Sequence, residues 1–324
     1  MTNPLRLIFC GTPQFAVPTL EALLAVGHEI ALAVSQPDRP AGRDRQLTAP
    51  PVKLAALAAG LPVTQPETIR NNPEFRAQVE AIAPDAIVVV AYGRLIPPWM
   101  LALPRLGCIN LHASLLPRYR GAAPIQWAVA MGETVTGNTT MLLEEGLDTG
   151  PILLQQFMAI APEQTTPDLF DMLAVDGAPL LVKTLAGLDD GTITPTPQNH
   201  AGASIAPLLT REDGRMDFAA HTATELKNRW RGFQPWPGAF TALDGKKLIV
   251  HCMEVVDAAS FPASAAAEPG RIHLEGKHLF VACAGNTWLE LLEVQLEGKK
   301  RLAAAEFLRG IALPADARLG TMAQ

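Results

Sequence analysis

Asparagine and histidine two residues apart can serve one reacting centre. In Cys108-Ile109-Asn110-Leu111-His112 they alternate with apolar residues, so a β-strand would turn both to one face. The asparagine amide is a neutral donor and acceptor, and imidazole exchanges protons near neutral pH. Downstream stands Gly146-Leu147-Asp148-Thr149-Gly150. Its glycines permit a tight turn or close backbone approach, and Asp148 is a carboxylate able to orient His112 or exchange protons with it. Alone, Asn-x-His is common, and Asp148 reads equally as an ordinary turn aspartate. No Ser or Cys nucleophile constellation appears. The cysteines at 10, 108, 252 and 283 are widely separated and the histidines form no His-x-x-x-His pair, so no metal is implied.

Elements must deliver these groups. Leu5–Cys10 is a buried-strand run, Ala16–Val26 a helix stopped by Gly27, and His28–Ser35 a second strand. A strand, helix and strand in that order predict a parallel, Rossmann-like sheet. Gly-x-Gly-x-x-Gly is absent, which argues against a nicotinamide oxidoreductase. Asp85–Ala91 is another buried strand; its end, Tyr92-Gly93, falls in the layer of His112. In open α/β sheets that layer, the carboxyl ends of the strands, carries the chemistry. Ser114–Pro117 breaks the central strand, and Ala122–Met131 reads as a helix. Thr136–Leu143 and Pro151–Ala159 read as strands, and Thr166 with Pro167 as a helix start.

Residues 1–188 are therefore expected to form one domain, 189–208 a polar Thr/Pro/Gly linker, and 209–324 a second domain. In the last, Thr222-x-x-Glu225 is a capping box, and five short strands with turns suggest a small OB-like β-barrel. The 48% hydrophobic content indicates a sizeable core, and no apolar run approaches a membrane span. The first strand begins at once, so no leader peptide is expected and residence is expected in the cytoplasm or a matching organelle compartment. The whole formal charge of −6 falls within residues 1–208. A polyanion would need local patches. Gln36–Val52, a Pro-rich loop with Arg39, Arg43 and Arg45, is one; Lys299-Lys300-Arg301 is the densest. For each cation taken singly a solvated surface charge is the better reading, and the case rests on the clusters.

With these residues in place, the chain resembles the 10-formyltetrahydrofolate-dependent formyltransferases, and among them those acting on methionyl-tRNA. Asn110, His112, Ser114–Pro117 and Asp148 in its Gly-Leu-Asp-Thr-Gly turn carry the likeness in the first domain. Gln36–Arg43 followed by Pro51-Val52-Lys53, Arg118–Gln126, Phe233–Ala239 and Gly298–Lys300 carry the acceptor-specific part. The resemblance implies Asn110, His112 and Asp148 as catalytic residues. It implies Ser114, Leu115, Leu116 and Pro117, with Tyr92, at the folate cosubstrate. It also implies Arg39, Arg43, Arg45, Lys227, Arg231, Lys299 and Lys300 at initiator methionyl-tRNA; nothing in the sequence demands more than a monomer. Departures are Asp44-Arg45-Gln46 in place of a lysine run, Leu208 in place of a lysine, and Phe218 in place of a tryptophan. A sugar-nucleotide amine formyltransferase, a folate-dependent hydrolase and a nucleic-acid-binding module remain alternatives.

Overall fold

Runs of apolar residues become the central strands of the first unit, because a strand covered on both faces gains from burying every side chain. The computed structural model describes residues 4–41, 46–256, 268–314 and 316–320. The chain divides into two units. The first opens with β1 (Arg6–Gly11), α1 (Val17–Ala25) and β2 (Glu29–Val34). The segment expected as a loop instead holds a short antiparallel hairpin, β3 (Arg39–Ala41) and β4 (Gln46–Thr48). Then come α2 (Pro51–Ala58), β5 (Val63–Thr64) and α3 (Pro73–Ile82), the last capped by Asn72, whose side-chain oxygen accepts from Phe75 N at 3.0 Å. Next are β6 (Ala86–Val90), α4 (Pro98–Leu101), β7 (Cys108–His112) and α5 (Pro124–Ala130). The series ends with β8 (Val135–Leu142), β9 (Ile152–Ala159) and α6 (Thr166–Asp189).

The sheet runs β5-β2-β1-β6-β7-β8-β9. It is parallel from β5 to β7, and β8 and β9 are antiparallel. All of β6 and β7 is buried. The period-two expectation for β7 holds on its far face: a β-carbon on Gly177 of α6 would lie 2.7 Å from Leu111 Cδ2, so the helix packs closely over Leu111. Asn110 and His112 take the opposite face of the strand. Residues 189–208, expected as a linker, pack as part of this first unit.

The second unit consists of Leu209 onward together with two earlier segments, Gln126–Thr134 and Ala161–Pro167, which lie within the expected first domain. Its helix α7 (Ala223–Gly232) starts at the expected capping box. The strands are β10 (Ala239–Leu243), β11 (Lys246–Val256), β12 (Ile272–Glu275), β13 (His278–Cys283), β14 (Thr287–Leu296) and the unforeseen β15 (Leu302–Ala303), before α8 (Ala304–Arg309). The sheet order is β10-β11-β14-β13-β12, with β15 on β14. Residues 317–320 join its two edges: Gly320 N donates to Ala242 O at 3.0 Å, Leu319 N to Gly270 O at 2.8 Å, and Ile272 N to Ala317 O at 3.0 Å. The sheet is thereby closed into the small barrel.

Gly232 explains why Gln126–Thr134 belongs here. A β-carbon on it would come within 2.6 Å of Ala130 N and Gln126 O, so α5 and α7 meet at their backbones. Thr166, expected as a cap, is the first residue of α6, and its hydroxyl donates to Gly232 O at 2.7 Å. Gly232→Ala is expected to force the two helices apart at a cost of about 1–3 kcal/mol. A thermal unfolding midpoint equal to wild type would show that the contact yields without strain.

Candidate active site

Strand β7 carries Asn110 and His112 at its carboxyl end, 9% and 6% exposed. Burial and alternation fix where they point; their partners decide what they can do. His112 Nε2 lies 2.9 Å from the Tyr119 carbonyl. A carbonyl only accepts, so Nε2 carries the proton in that contact, and Nδ1 is the nitrogen open to take one. Nδ1 faces Asp148 Oδ2 across 3.8 Å. That is longer than a hydrogen bond, so the ring is held by Tyr119 O and Asp148 stands beside it as a nearby charge. Asp148 Oδ2 instead accepts from Gly121 N at 2.8 Å. The Asn110 side-chain amide has no protein hydrogen-bond partner among the described residues. A nearly buried amide with open donors is unusual, because such groups are ordinarily satisfied.

Asp148 sits in the turn between β8 and β9 with φ +49. This left-handed backbone is one that aspartate tolerates better than most residues. A β-carbon on Gly150 would overlap the Leu142 carbonyl, and one on Gly146 would overlap Thr149. Both glycines are thus needed for close approach, as their spacing suggested.

The Ser114–Pro117 turn is held from behind by β8 and β9. Thr139 Oγ1 donates to Ser114 O at 2.6 Å and accepts from Leu116 N at 3.1 Å. Gln155 Nε2 donates to Leu116 O at 2.9 Å. The Ser114 hydroxyl donates to Arg118 O at 2.7 Å. Leu116 is buried, Leu115 packs towards Gly137, and Leu115 and Pro117 stay partly exposed. Thr139 and Gln155 were missed at the sequence level. The available signal was the polar run Asn138-Thr139-Thr140, which is almost wholly buried inside a strand.

Tyr92 departs from expectation. Its ring packs in the core with Ile8, Cys10 and Met100 and is 2% exposed. Its hydroxyl is buried without a hydrogen-bond partner, and burial pushes the phenol well above its ordinary value. What Tyr92 offers the site is its carbonyl, which accepts from Thr12 Oγ1 and Gln36 Nε2, each at 3.1 Å. These bonds tie the ends of β1 and β2 to that of β6.

The expected tRNA contacts divide. Arg39 is exposed on β3. The base of its hairpin is anchored by Asp38, which accepts from Lys53 Nζ at 2.9 and 2.7 Å and from Gln65 Nε2 at 2.8 Å. The Lys53 hydrogen bond, seconded by Gln65, holds the Asp38 carboxyl below its ordinary value. Arg43 and Arg45 lie outside the described residues. Lys299 and Lys300 are exposed at the turn after β14. Lys227 and Arg231, in contrast, are turned inward within the second unit. Lys227 Nζ donates to Glu163 Oε1 at 3.0 Å and Glu254 Oε2 at 2.5 Å. Arg231, 4% exposed, donates to Gln164 O at 2.8 Å and Asn228 Oδ1 at 2.6 Å. A cation buried against its own partners has no free face for a phosphate, so both leave the expected tRNA surface.

Comparison with known proteins follows the same division. Residues 5–185 match the family described as formyl transferase, and residues 208–312 match the formyl transferase C-terminal domain. The chain is 64% identical over 316 residues to the methionyl-tRNA formyltransferase of Acidobacterium capsulatum, covering 98% of this chain and 100% of that one. It is 57% identical to the methionyl-tRNA formyltransferase of Koribacter versatilis, at 98% and 99% coverage. Among solved structures, the sugar 3N-formyl transferase WlaRD shares the fold with a TM-score of 0.62 at 16% identity, over 91% of this chain and 99% of that chain. HypX from Aquifex aeolicus in complex with tetrahydrofolic acid shares it with a TM-score of 0.58 at 15% identity, over 94% and 47%. The two family matches succeed one another as the sheet unit and the barrel unit do, and the chain belongs to the formyl transferase family, carrying both its N-terminal and its C-terminal domain.

Proposed function

We propose that the protein transfers the formyl group of 10-formyltetrahydrofolate to the α-amine of methionine on initiator methionyl-tRNA. The observation that carries the chemistry is the open Asn110 amide beside a His112 ring whose tautomer is set by Tyr119 O. The full-length relatives named methionyl-tRNA formyltransferase support the acceptor.

In this reading the uncharged amine attacks the formyl carbon directly, and no covalent enzyme intermediate is needed. Negative charge grows on the formyl oxygen, and donors fixed before the reaction lower that barrier most. Asn110 donates to this oxygen with little rearrangement, since no protein bond must first break. His112 Nδ1 takes the proton lost by the amine, with the Asp148 carboxylate 3.8 Å away from it. As the tetrahedral intermediate collapses, the bond from the formyl carbon to the folate nitrogen breaks, that nitrogen takes the proton held by His112, and tetrahydrofolate leaves. The partly exposed faces of Leu115 and Pro117 supply an apolar edge for the folate ring system, and Ser114 and Leu116 keep that edge in shape through Thr139 and Gln155. Tyr92 supports the floor and does not face the ring.

Residues 1–188 act as the transferase domain and 209–324 as the tRNA-binding domain, joined through 189–208. Arg39, Arg43 and Arg45 meet acceptor-stem phosphate from the first, and Lys299 and Lys300 meet tRNA from the second. Asn110, His112 and Asp148 all lie in one unit of one chain, which suits a monomer. Among the described residues no helix is long and apolar enough to cross a membrane, and the cytoplasm, where initiator tRNA is charged, is the proposed location.

The test is formyl transfer to methionine on initiator tRNA, with elongator methionyl-tRNA and a sugar-nucleotide amine run alongside. Transfer to the initiator alone is expected. Transfer to the sugar amine in its place would keep the chemistry and overturn the acceptor. Affinity for tRNA should fall steeply with salt, at about 0.9 log units per log unit of salt for each phosphate neutralised. In the double variant Lys299→Glu, Lys300→Glu, KM for methionyl-tRNA is expected to rise and that slope to flatten by about 1–2 units. An unchanged slope would remove these lysines from the interface.

A further inference from the structure

Residues 186–207 fall between the two family matches, yet one side chain in this strap reaches the catalytic turn. Gln198 is 6% exposed. Its Nε2 donates to Asp148 O at 2.8 Å and to Gly150 O at 2.7 Å. Its Oε1 accepts from Arg120 Nη2 at 2.6 Å and Nε at 3.1 Å. Two carbonyls require a donor and a guanidinium requires an acceptor, so the amide has one orientation that satisfies all four bonds. Arg120 is itself 6% exposed, and its backbone is fastened to the strap: Arg120 N donates to Ser204 O at 2.8 Å and Ala206 N donates to Arg120 O at 2.7 Å.

These bonds close a ring. Arg120 is followed by Gly121, whose N–H donates to Asp148 Oδ2. From the Asp148 carboxylate the path runs through Gly121 and Arg120 to the Gln198 amide, and from Gln198 back to the Asp148 carbonyl. Asp148 is thus gripped at its carboxylate and its backbone, in a left-handed conformation that the turn alone favours weakly. The carboxylate stands 3.8 Å from His112 with no direct hydrogen bond. Its distance from the ring therefore depends on this outer frame as well as on the Tyr119 carbonyl that holds the ring.

We infer that Gln198 is a positioning residue, which sets the Asp148 carboxylate against His112 by bracing the Asp148–Gly150 backbone to Arg120. The inference rests on the catalytic roles proposed above for Asp148 and His112. Groups misplaced by about 1 Å can cost on the order of 100-fold in rate.

The test uses the full chain. Gln198→Glu keeps an acceptor for Arg120, so the buried guanidinium stays paired, and replaces the donors to Asp148 O and Gly150 O by a second acceptor. Gln198→Met removes both halves. Single-turnover transfer with saturating donor and methionyl-tRNA is expected to slow about 10–100-fold in Gln198→Glu, with little change in either KM. The double variant with Asp148→Asn is expected to be no slower than Asp148→Asn alone. Full multiplication of the two losses, a loss confined to KM, or wild-type turnover in Gln198→Glu would each overturn the inference. A second readout needs no substrate: the Gly121 amide, protected by the Asp148 carboxylate, is expected to exchange its hydrogen faster in Gln198→Glu and Gln198→Met. Wild-type protection in both would overturn the brace. Absence of transfer by the wild-type chain would instead sink the catalytic reading and leave the exchange result standing.

Discussion

In Asn110→Ala, formyl transfer is expected to slow about 10²–10³-fold, the usual loss when one preorganised oxyanion donor is removed. Stability should hardly change. The Asn110 amide has no protein partner among the described residues, so truncation leaves no carbonyl or N–H orphaned behind it. That combination separates this residue from one conserved in shape for packing. Asn110→Asp should lose more, since an acceptor of negative charge would then face the developing oxyanion. The measurement is kcat beside a thermal unfolding curve for each variant. Folded Asn110→Ala with near wild-type turnover would take the amide out of the mechanism.

His112→Ala is expected to lose at least as much in kcat, but with a cost in stability. Its Nε2 satisfies the Tyr119 carbonyl at 2.9 Å, and Tyr119 is 8% exposed. Losing that hydrogen bond costs about 0.5–1.5 kcal/mol. His112→Gln separates the two effects. A glutamine amide can donate to Tyr119 O and cannot take the proton of the attacking amine. The variant should recover most of the unfolding temperature and little of the turnover. Recovery of both would mean that His112 only holds the loop.

Much of this architecture was legible in the chain because short-range physics set it. The alternation of Asn110, Leu111 and His112 gave the face of the strand, and Leu111 against Gly177 bears that out from behind. Thr222 and Glu225 announced the start of α7, and the five short strands expected in the second domain are β10 to β14. What escaped depends on partners distant in sequence. Lys227 and Arg231 sit at helical spacing like any solvated face, and only Glu163, Glu254 and Gln164 from elsewhere turn them inward. Tyr92 ends a buried strand at the reactive layer, but its ring is claimed by the core. Gln198 lay in a polar stretch with every mark of a linker, and no local pattern marks a side chain that reaches back 50 residues.

The interleaving of the second unit bears on how such enzymes exchange parts. A chimaera that swapped residues 209–324 alone for those of a relative with another acceptor would carry over α7 without its neighbours. Arg231 would meet foreign residues where Gln164 O now receives it, and Gly232 would face an α5 it had not been matched to. The second unit is therefore discontinuous in sequence, and Gln126–Thr134 and Ala161–Pro167 must travel with the barrel. Recombination at a single crossover in the strap would break that set, and two short grafts inside the transferase half would restore it.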